Sequence, residues 1–184
     1  TIGSASQINQ DLLPPALAGA LDNYTVATVL DNSTNTTDDL LIVGTDLDDT
    51  AANGRAIKGG AGDDLLIGNA GIDELDGGAG DDWIEGGEGV DTVVGGTHAT
   101  EGDMISFQSA TGGAIIDLST NTITDDGYGN AETVSGIENI EGSEQADSLT
   151  GDTGVNFLFG SDGDDTLIGG GGGGLRAAVA AHDA

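Results

Sequence analysis

The sequence predicts an all-β fold built as a stack of short parallel coils, and three features of its middle section carry that prediction. A nine-residue pattern runs uninterrupted from Gly59 to Val94: GGAGDDLLI, GNAGIDELD, GGAGDDWIE, GGEGVDTVV. Position four is always Gly (Gly62, Gly71, Gly80, Gly89) and position six always Asp (Asp64, Asp73, Asp82, Asp91). Position eight is always a large aliphatic residue (Leu66, Leu75, Ile84, Val93).

Each half of the repeat has its own physical meaning. The glycines allow positive φ, so the first half reads as a tight loop. The last three residues are short and β-prone, with the middle side chain facing opposite to its neighbours. Two repeats, 18 residues, then close one coil with a strand on each side, and successive coils pair in parallel at about 4.8 Å. Only position eight points inward. One aliphatic side chain per nine residues cannot offset the entropy of ordering that backbone, so the loops must add a stabilising interaction.

A second block keeps the register with fewer glycines: TVSGIENIE from Thr133, then GSEQADSLT, GDTGVNFLF and GSDGDDTLI, ending at Ile168. Its position-six groups are Glu138, Asp147, Asn156 and Asp165, and its position-eight residues Ile140, Leu149, Leu158 and Leu167. An upstream turn, GTDLDDTAA from Gly44, puts Asp49 at position six, and a six-residue insertion, Asn53 to Lys58, separates it from the first block.

Charge narrows the function. The chain has 33 acidic residues against 3 basic ones, a formal net charge of −30. Such a chain repels itself unless cations are bound, and it lacks the Lys and Arg that nucleic acid or anionic membranes require. There is no cysteine, so no disulfide or thiolate site is available. The two histidines, His98 and His182, are far apart without a local partner motif, so neither a zinc site nor a Ser-His-Asp triad is expected, and the chain reads as non-enzymatic. No apolar run approaches the roughly 20 residues of a membrane span. Position-six carboxylates one coil apart stack, Asp64 on Asp82 and Asp73 on Asp91. Bare, they repel; a hard divalent cation between them reverses the sign. Calcium takes about 6–8 oxygens in flexible geometry and suits carbonyl-rich loops, whereas magnesium demands a stricter octahedron.

These residues resemble the RTX repeat GGxGxDxUx, a calcium-binding signature. The resemblance covers roughly half the chain, or about two-thirds with the non-consensus segment after Gly95. It implies a right-handed parallel β-roll with several calcium ions. Each ion would take carbonyls of positions two and four and the Asp of one loop, then carbonyls of positions one and three and the Asp one coil later. Carried over, one site is Gly60, Gly62, Asp64, Gly77, Ala79 and Asp82, and the next is Asn69, Gly71, Asp73, Gly86, Glu88 and Asp91. Gly78, Gly80, Gly87 and Gly89 hold the same carbonyl positions in the third and fourth repeats. Ser143, Gln145, Asp147, Gly160, Asp162 and Asp165 form a site in the second block, with Gln145 replacing a loop glycine, and the neutral Asn156 weakens its own.

The expected organisation is an irregular cap or linker over 1–37, the roll over 38–168 with expanded coils at 95–132, and a Gly-rich tail over 169–184. Gln7 to Leu13 reads as a short helix before Pro14 and Pro15, and Tyr24 to Leu30 as a strand. The last segment, LRAAVAAHDA, reads as a short helix or a tail, and Trp83 at position seven points outward. Starting at Thr1 without a leader, the chain reads as a fragment or processed product. The leading function is a calcium-binding module that folds outside the cell and stabilises the covalently linked domains of a larger secreted protein. The alternatives are a self-associating cell-surface or adhesive protein and an accessory module of a polysaccharide-active enzyme.

Overall fold

The computed structural model describes residues 25–26, 39–171 and 174–178. Within them the chain is almost entirely strands and turns, divided between two eight-stranded sheets. The first contains β1 (Thr25–Val26), β2 (Leu40–Val43), β4 (Leu65–Ala70), β6 (Trp83–Glu88), β8 (Met104–Ser106), β12 (Asn139–Glu141), β14 (Val155–Phe159) and β16 (Gly174–Ala178), in that order. The second contains β3 (Ile57–Ala61), β5 (Glu74–Ala79), β7 (Thr92–Thr97), β9 (Ala114–Asp117), β10 (Thr122–Asp126), β11 (Glu132–Ser135), β13 (Ser148–Thr150) and β15 (Thr166–Ile168). Its order is β15-β13-β9-β10-β11-β7-β5-β3. Consecutive strands of the first block alternate between the sheets, as a nine-residue half-coil requires.

Register follows the repeat. Leu66 pairs with Ile84 and Leu75 with Val93, position eight on position eight. The inward side chains form two columns: Ile42, Leu66, Ile84, Ile105, Ile140 and Leu158 under one sheet, and Ile57, Leu75, Val93, Val134, Ile123, Ile116 and Leu149 under the other, all buried. The ladder also continues past the three-residue strand that the repeat predicts. Asn69 pairs with Gly87 and Gly78 with Gly96, after a skip at position one. The position-one glycine lets the backbone bend there and resume pairing.

The upstream insertion sits elsewhere than the spacing indicates. Ile57, not Ala51, pairs with Leu75 and is fully buried. The extra residues therefore fall inside the turn, after Asp49, where Ala51–Asn53 form a short 3-10 turn. Burial decides this: Ala51 is exposed, and the column needs a large side chain.

The segment expected as expanded coils is only partly parallel. β9, β10 and β11 form an antiparallel meander within the second sheet, joined in parallel to β13 at one side and β7 at the other. Tight turns explain it, because a hairpin connection can join only antiparallel neighbours. Asn121 adopts φ 54° in the first turn. In the second, Asp125 Oδ1 accepts the Gly127 and Gly129 amides, and Asp126 Oδ1 those of Tyr128 and Asn130. At the C-terminal end, Gly174–Ala178 is a strand on β14 rather than a helix or tail. A glycine run disfavours helix, and β14 offers an edge to pair with.

Trp83 does not stand free. It packs on the outer face with Leu41, Leu65 and Ile67, and its Nε1 donates to Glu141 Oε2 at 3.2 Å. At the N-terminal side, β1 pairs in parallel with β2. The expected Gln7–Leu13 helix and the rest of the cap lie outside the described residues, as does the segment after Ala178.

Candidate metal centre

Stacking the repeats places the position-six carboxylates in the corner where each loop turns into its strand. They are buried: Asp64 and Asp73 are 1% exposed, Asp82 2% and Asp91 1%. One oxygen of each is spoken for. The Asp64 amide donates to Asp82 Oδ1 at 2.8 Å, and the Asp73 amide to Asp91 Oδ1 at 2.9 Å. The Asp82 amide donates in turn to Asp103 Oδ1, and the Asp147 amide to Asp165 Oδ1. The carboxylates of neighbouring coils thus form two ladders, as the repeat register requires.

The other oxygen is the informative one. Oδ2 of Asp64, Asp73, Asp82, Asp91, Asp103 and Asp165 is buried with no hydrogen-bond partner among the described residues. An unpaired buried carboxylate oxygen is costly unless a cation completes it. The bare oxygens of Asp64, Asp73, Asp82, Asp91 and Asp165 point at the position-one glycine of their own loop and that of Asp103 at Gly95, and at the first three a backbone carbonyl of the next coil lies alongside. A Cβ at Gly59 would lie 2.3 Å from Asp64 Oδ2 and 2.5 Å from the Gly77 carbonyl. At Gly68 the pair is Gly86 O and Asp73 Oδ2, and at Gly77 it is Asp82 Oδ2 and Gly95 O. Bare oxygens converging on a space without a side chain fit a hard cation, so the donor set passes the test for calcium.

Burial shapes the electrostatics. Desolvation pushes Asp64 and Asp73 up to about 6, and Asp82 and Asp91 up to about 7, with neighbouring carboxylates adding to the rise. Amide donors from the preceding coil oppose it without cancelling it.

The structure brings the expected residues together unevenly. In the first set, Asp64 and the Gly77 carbonyl converge, while the Ala79 carbonyl accepts the Gly62 amide at 2.9 Å. The Gly60 and Gly62 carbonyls lie against Gly78 and Gly80 of the next coil. In the second set, Asp73 and Gly86 converge, and the Glu88 carbonyl accepts the Gly71 amide at 2.8 Å. The Asn69 and Gly71 carbonyls face Gly87 and Gly89. In the second block, both Asp147 oxygens are occupied, by the Ser143 amide and hydroxyl and the Ala114 amide, although Oδ2 still faces the Gly160 carbonyl across Gly142. Asp165 keeps a bare oxygen, the Gln145 carbonyl lies against Gly163, and Asp162 is exposed. The Asn156 amide group is filled by bonds to the Glu138 carbonyl and to Asp152.

Three further groups belong to the ladders. Asp103 stands directly above Asp82, just before β8; its signal is the D-x-U order of Asp103-Met104-Ile105. Glu132 accepts the Asp91 amide at 3.3 Å, and burial with the charges of Asp91 and Asp126 pushes its carboxyl to about 9. Its signal is an acid two residues before the core Val134. Asp49 differs, because its carboxylate is satisfied within the protein: Arg55 Nε donates to Oδ1 at 2.5 Å and the Thr45 amide to Oδ2 at 2.7 Å. At that turn the Thr45 amide fills the oxygen that the others leave bare, and a guanidinium binds the second oxygen.

The loops also predict where glycine is indispensable. Gly80 has φ 144°, and a Cβ there would lie 2.0 Å from the Gly62 carbonyl, whereas Gly129 has positive φ with nothing within 4 Å. Gly80→Ala is expected to cost at least about 1–3 kcal/mol from backbone strain, plus the clash, and Gly129→Ala only the strain. Thermal melts in saturating calcium check this; equal losses would contradict the close stacking.

The family model for the RTX calcium-binding nonapeptide repeat (4 copies) matches residues 58–93, 133–167 and 141–174. No curated protein matches the chain. The matched segments supply most of the carboxylate ladders and most of the two core columns, so residues 58–93 and 133–174 are RTX calcium-binding nonapeptide repeats, whose ion is calcium.

Proposed function

We propose that this chain is a non-enzymatic calcium-gated folding module of a secreted protein. Its coils are right-handed and 18 residues long, and its ions sit between the position-six carboxylates and loop carbonyls of successive coils. The observation that carries the reading is the row of buried carboxylate oxygens without partners. A chain of net charge −30 with a core one residue wide per half-coil has little reason to close without cations. Where calcium is scarce, as in the cytosol, the chain stays expanded and exportable. Outside the cell calcium joins the coils, so binding energy appears as folding energy. The folded roll then stabilises the domains covalently linked to it. Among the described residues no helix is long and apolar enough to cross a membrane.

Far-UV circular dichroism tests this directly. In chelator at pH 8 the chain should be disordered, gaining β signal at roughly 10⁻⁴–10⁻³ M calcium, the range of extracellular calcium modules. Magnesium at the same concentration should leave it disordered, because magnesium sheds water reluctantly and keeps octahedral geometry. A β spectrum indifferent to chelator would end the gating proposal, and equal folding in magnesium would reduce it to charge screening.

A further inference from the structure

We propose that His98, Asp103 and Glu138 form a site for one divalent transition cation of the zinc class, which shares the Asp103 carboxylate with one calcium ladder and differs from the calcium sites by its imidazole ligand. The three residues are remote in sequence and meet at the junction between the repeat blocks. His98 follows β7, Asp103 precedes β8 and Glu138 precedes β12. One ligand atom from each lies within 4.8 Å of the others. His98 Nδ1 is 3.1 Å from Glu138 Oε2, the oxygen that also accepts the Asp103 amide at 3.0 Å.

Two observations point to a ligand rather than to a simple ion pair. Asp103 is 0% exposed and its Oδ2 has no partner, while its Oδ1 is held by the Asp82 amide at 2.8 Å. A carboxylate of the ladder, with one buried oxygen that no protein group pairs, therefore belongs to the same three-residue cluster as the His–Glu pair. Second, the loop that presents His98 is fastened. The Asp81 carboxylate accepts the amides of Ala99, Thr100, Glu101 and Gly102 and the Thr100 hydroxyl, all at 2.9–3.2 Å. Asp81 thus acts as a positioning residue, holding the segment between His98 and Asp103.

Donor chemistry selects the metal. Calcium prefers an all-oxygen shell, whereas imidazole suits zinc, copper, iron and nickel. One nitrogen and two carboxylates match three protein ligands of a tetrahedral zinc, with water as the fourth. Bonds of about 2.0–2.2 Å require the three groups to draw together, and His98, 46% exposed, can rotate to do so. The site would pin β7, β8 and β12 together where the nonapeptide pattern is interrupted.

Calorimetric titration of zinc into the full chain, already folded in millimolar calcium, tests the proposal. One equivalent should bind saturably, with loss of that binding in His98→Ala and in Glu138→Gln, and with retention in His182→Ala. Asp81→Asn should weaken it by about 10–100-fold, as loss of a group supporting a metal ligand does. The calcium-induced β signal should be unchanged in His98→Ala, which separates zinc ligation from folding. Cobalt as the probe should add a visible absorption band that His98→Ala abolishes. No zinc uptake over calcium, or equal uptake by His98→Ala, would overturn the site; the first result would assign Asp103 and Glu138 to calcium alone.

Discussion

In chelator, acidification from pH 8 to pH 4 should restore the β signal that calcium removal abolishes. Burial raises the folded-state carboxyls of Asp64, Asp73 and Asp103 to about 6 and those of Asp82 and Asp91 to about 7. An unfolded Asp titrates near 3.9. A carboxyl raised on folding takes up a proton as the chain closes, so its contribution is complete below about pH 4. That contribution is lost as pH rises through 6 and 7, and Glu132 extends the loss towards about 9. Protons therefore replace calcium at low pH, since a neutral carboxyl no longer repels its neighbour. With calcium present the order reverses, because the ion must displace those protons: the calcium midpoint should fall as pH rises from 5 to 8. Dichroism across pH, with and without calcium, measures both trends. An ion-free chain that gains structure as pH rises would contradict the burial of these groups.

Asp82→Ala should raise the calcium midpoint for folding severalfold and flatten the transition. Asp82 joins three coils: its Oδ1 holds the Asp64 amide, its amide binds Asp103, and its free Oδ2 faces the Gly95 carbonyl. On the proposed ligation, removing it would empty one site and halve the carboxylates of the site below. In a stacked fold each coil templates the next, so a break in mid-stack costs cooperativity as well as affinity. Asp46→Ala removes the same charge from an exposed position in the upstream turn, and its calcium curve should nearly overlay that of the parent chain. Net charge alone would make both changes favourable by relieving repulsion. Superimposable titrations of the two variants would mean that ligation at Asp82 plays no part.

How much was legible in advance depended on whether a residue's role was set by its neighbours in sequence. The nonapeptide determined the alternating strands, the inward columns led by Leu66 and Leu75, and the stacking of Asp64 on Asp82. Each of these follows from a local conformational preference repeated at constant spacing. Where spacing broke, local reading failed. Ile57 rather than Ala51 fills the column because a large apolar side chain gains burial there, a choice visible only against Leu75. The 95–132 segment turns back on itself because Asp125 and Asp126 close a turn on amides that the repeat does not specify.

Composition and repeat by themselves determined an acidic, calcium-binding stack of parallel strands in the repeat blocks, since those properties follow from a pattern that every nonapeptide shares. Tertiary structure alone decided which carboxylates are left with a bare oxygen. Asp49 and Asp147 occupy the same repeat position as Asp64 yet are satisfied, one by Arg55 and the other by Ser143. It alone also brought His98 to Asp103 and Glu138, whose separation in sequence hides the contact. The physical reason is the same in both cases: a buried polar atom's state depends on every group that reaches it in space, and the chain's order records only some of them.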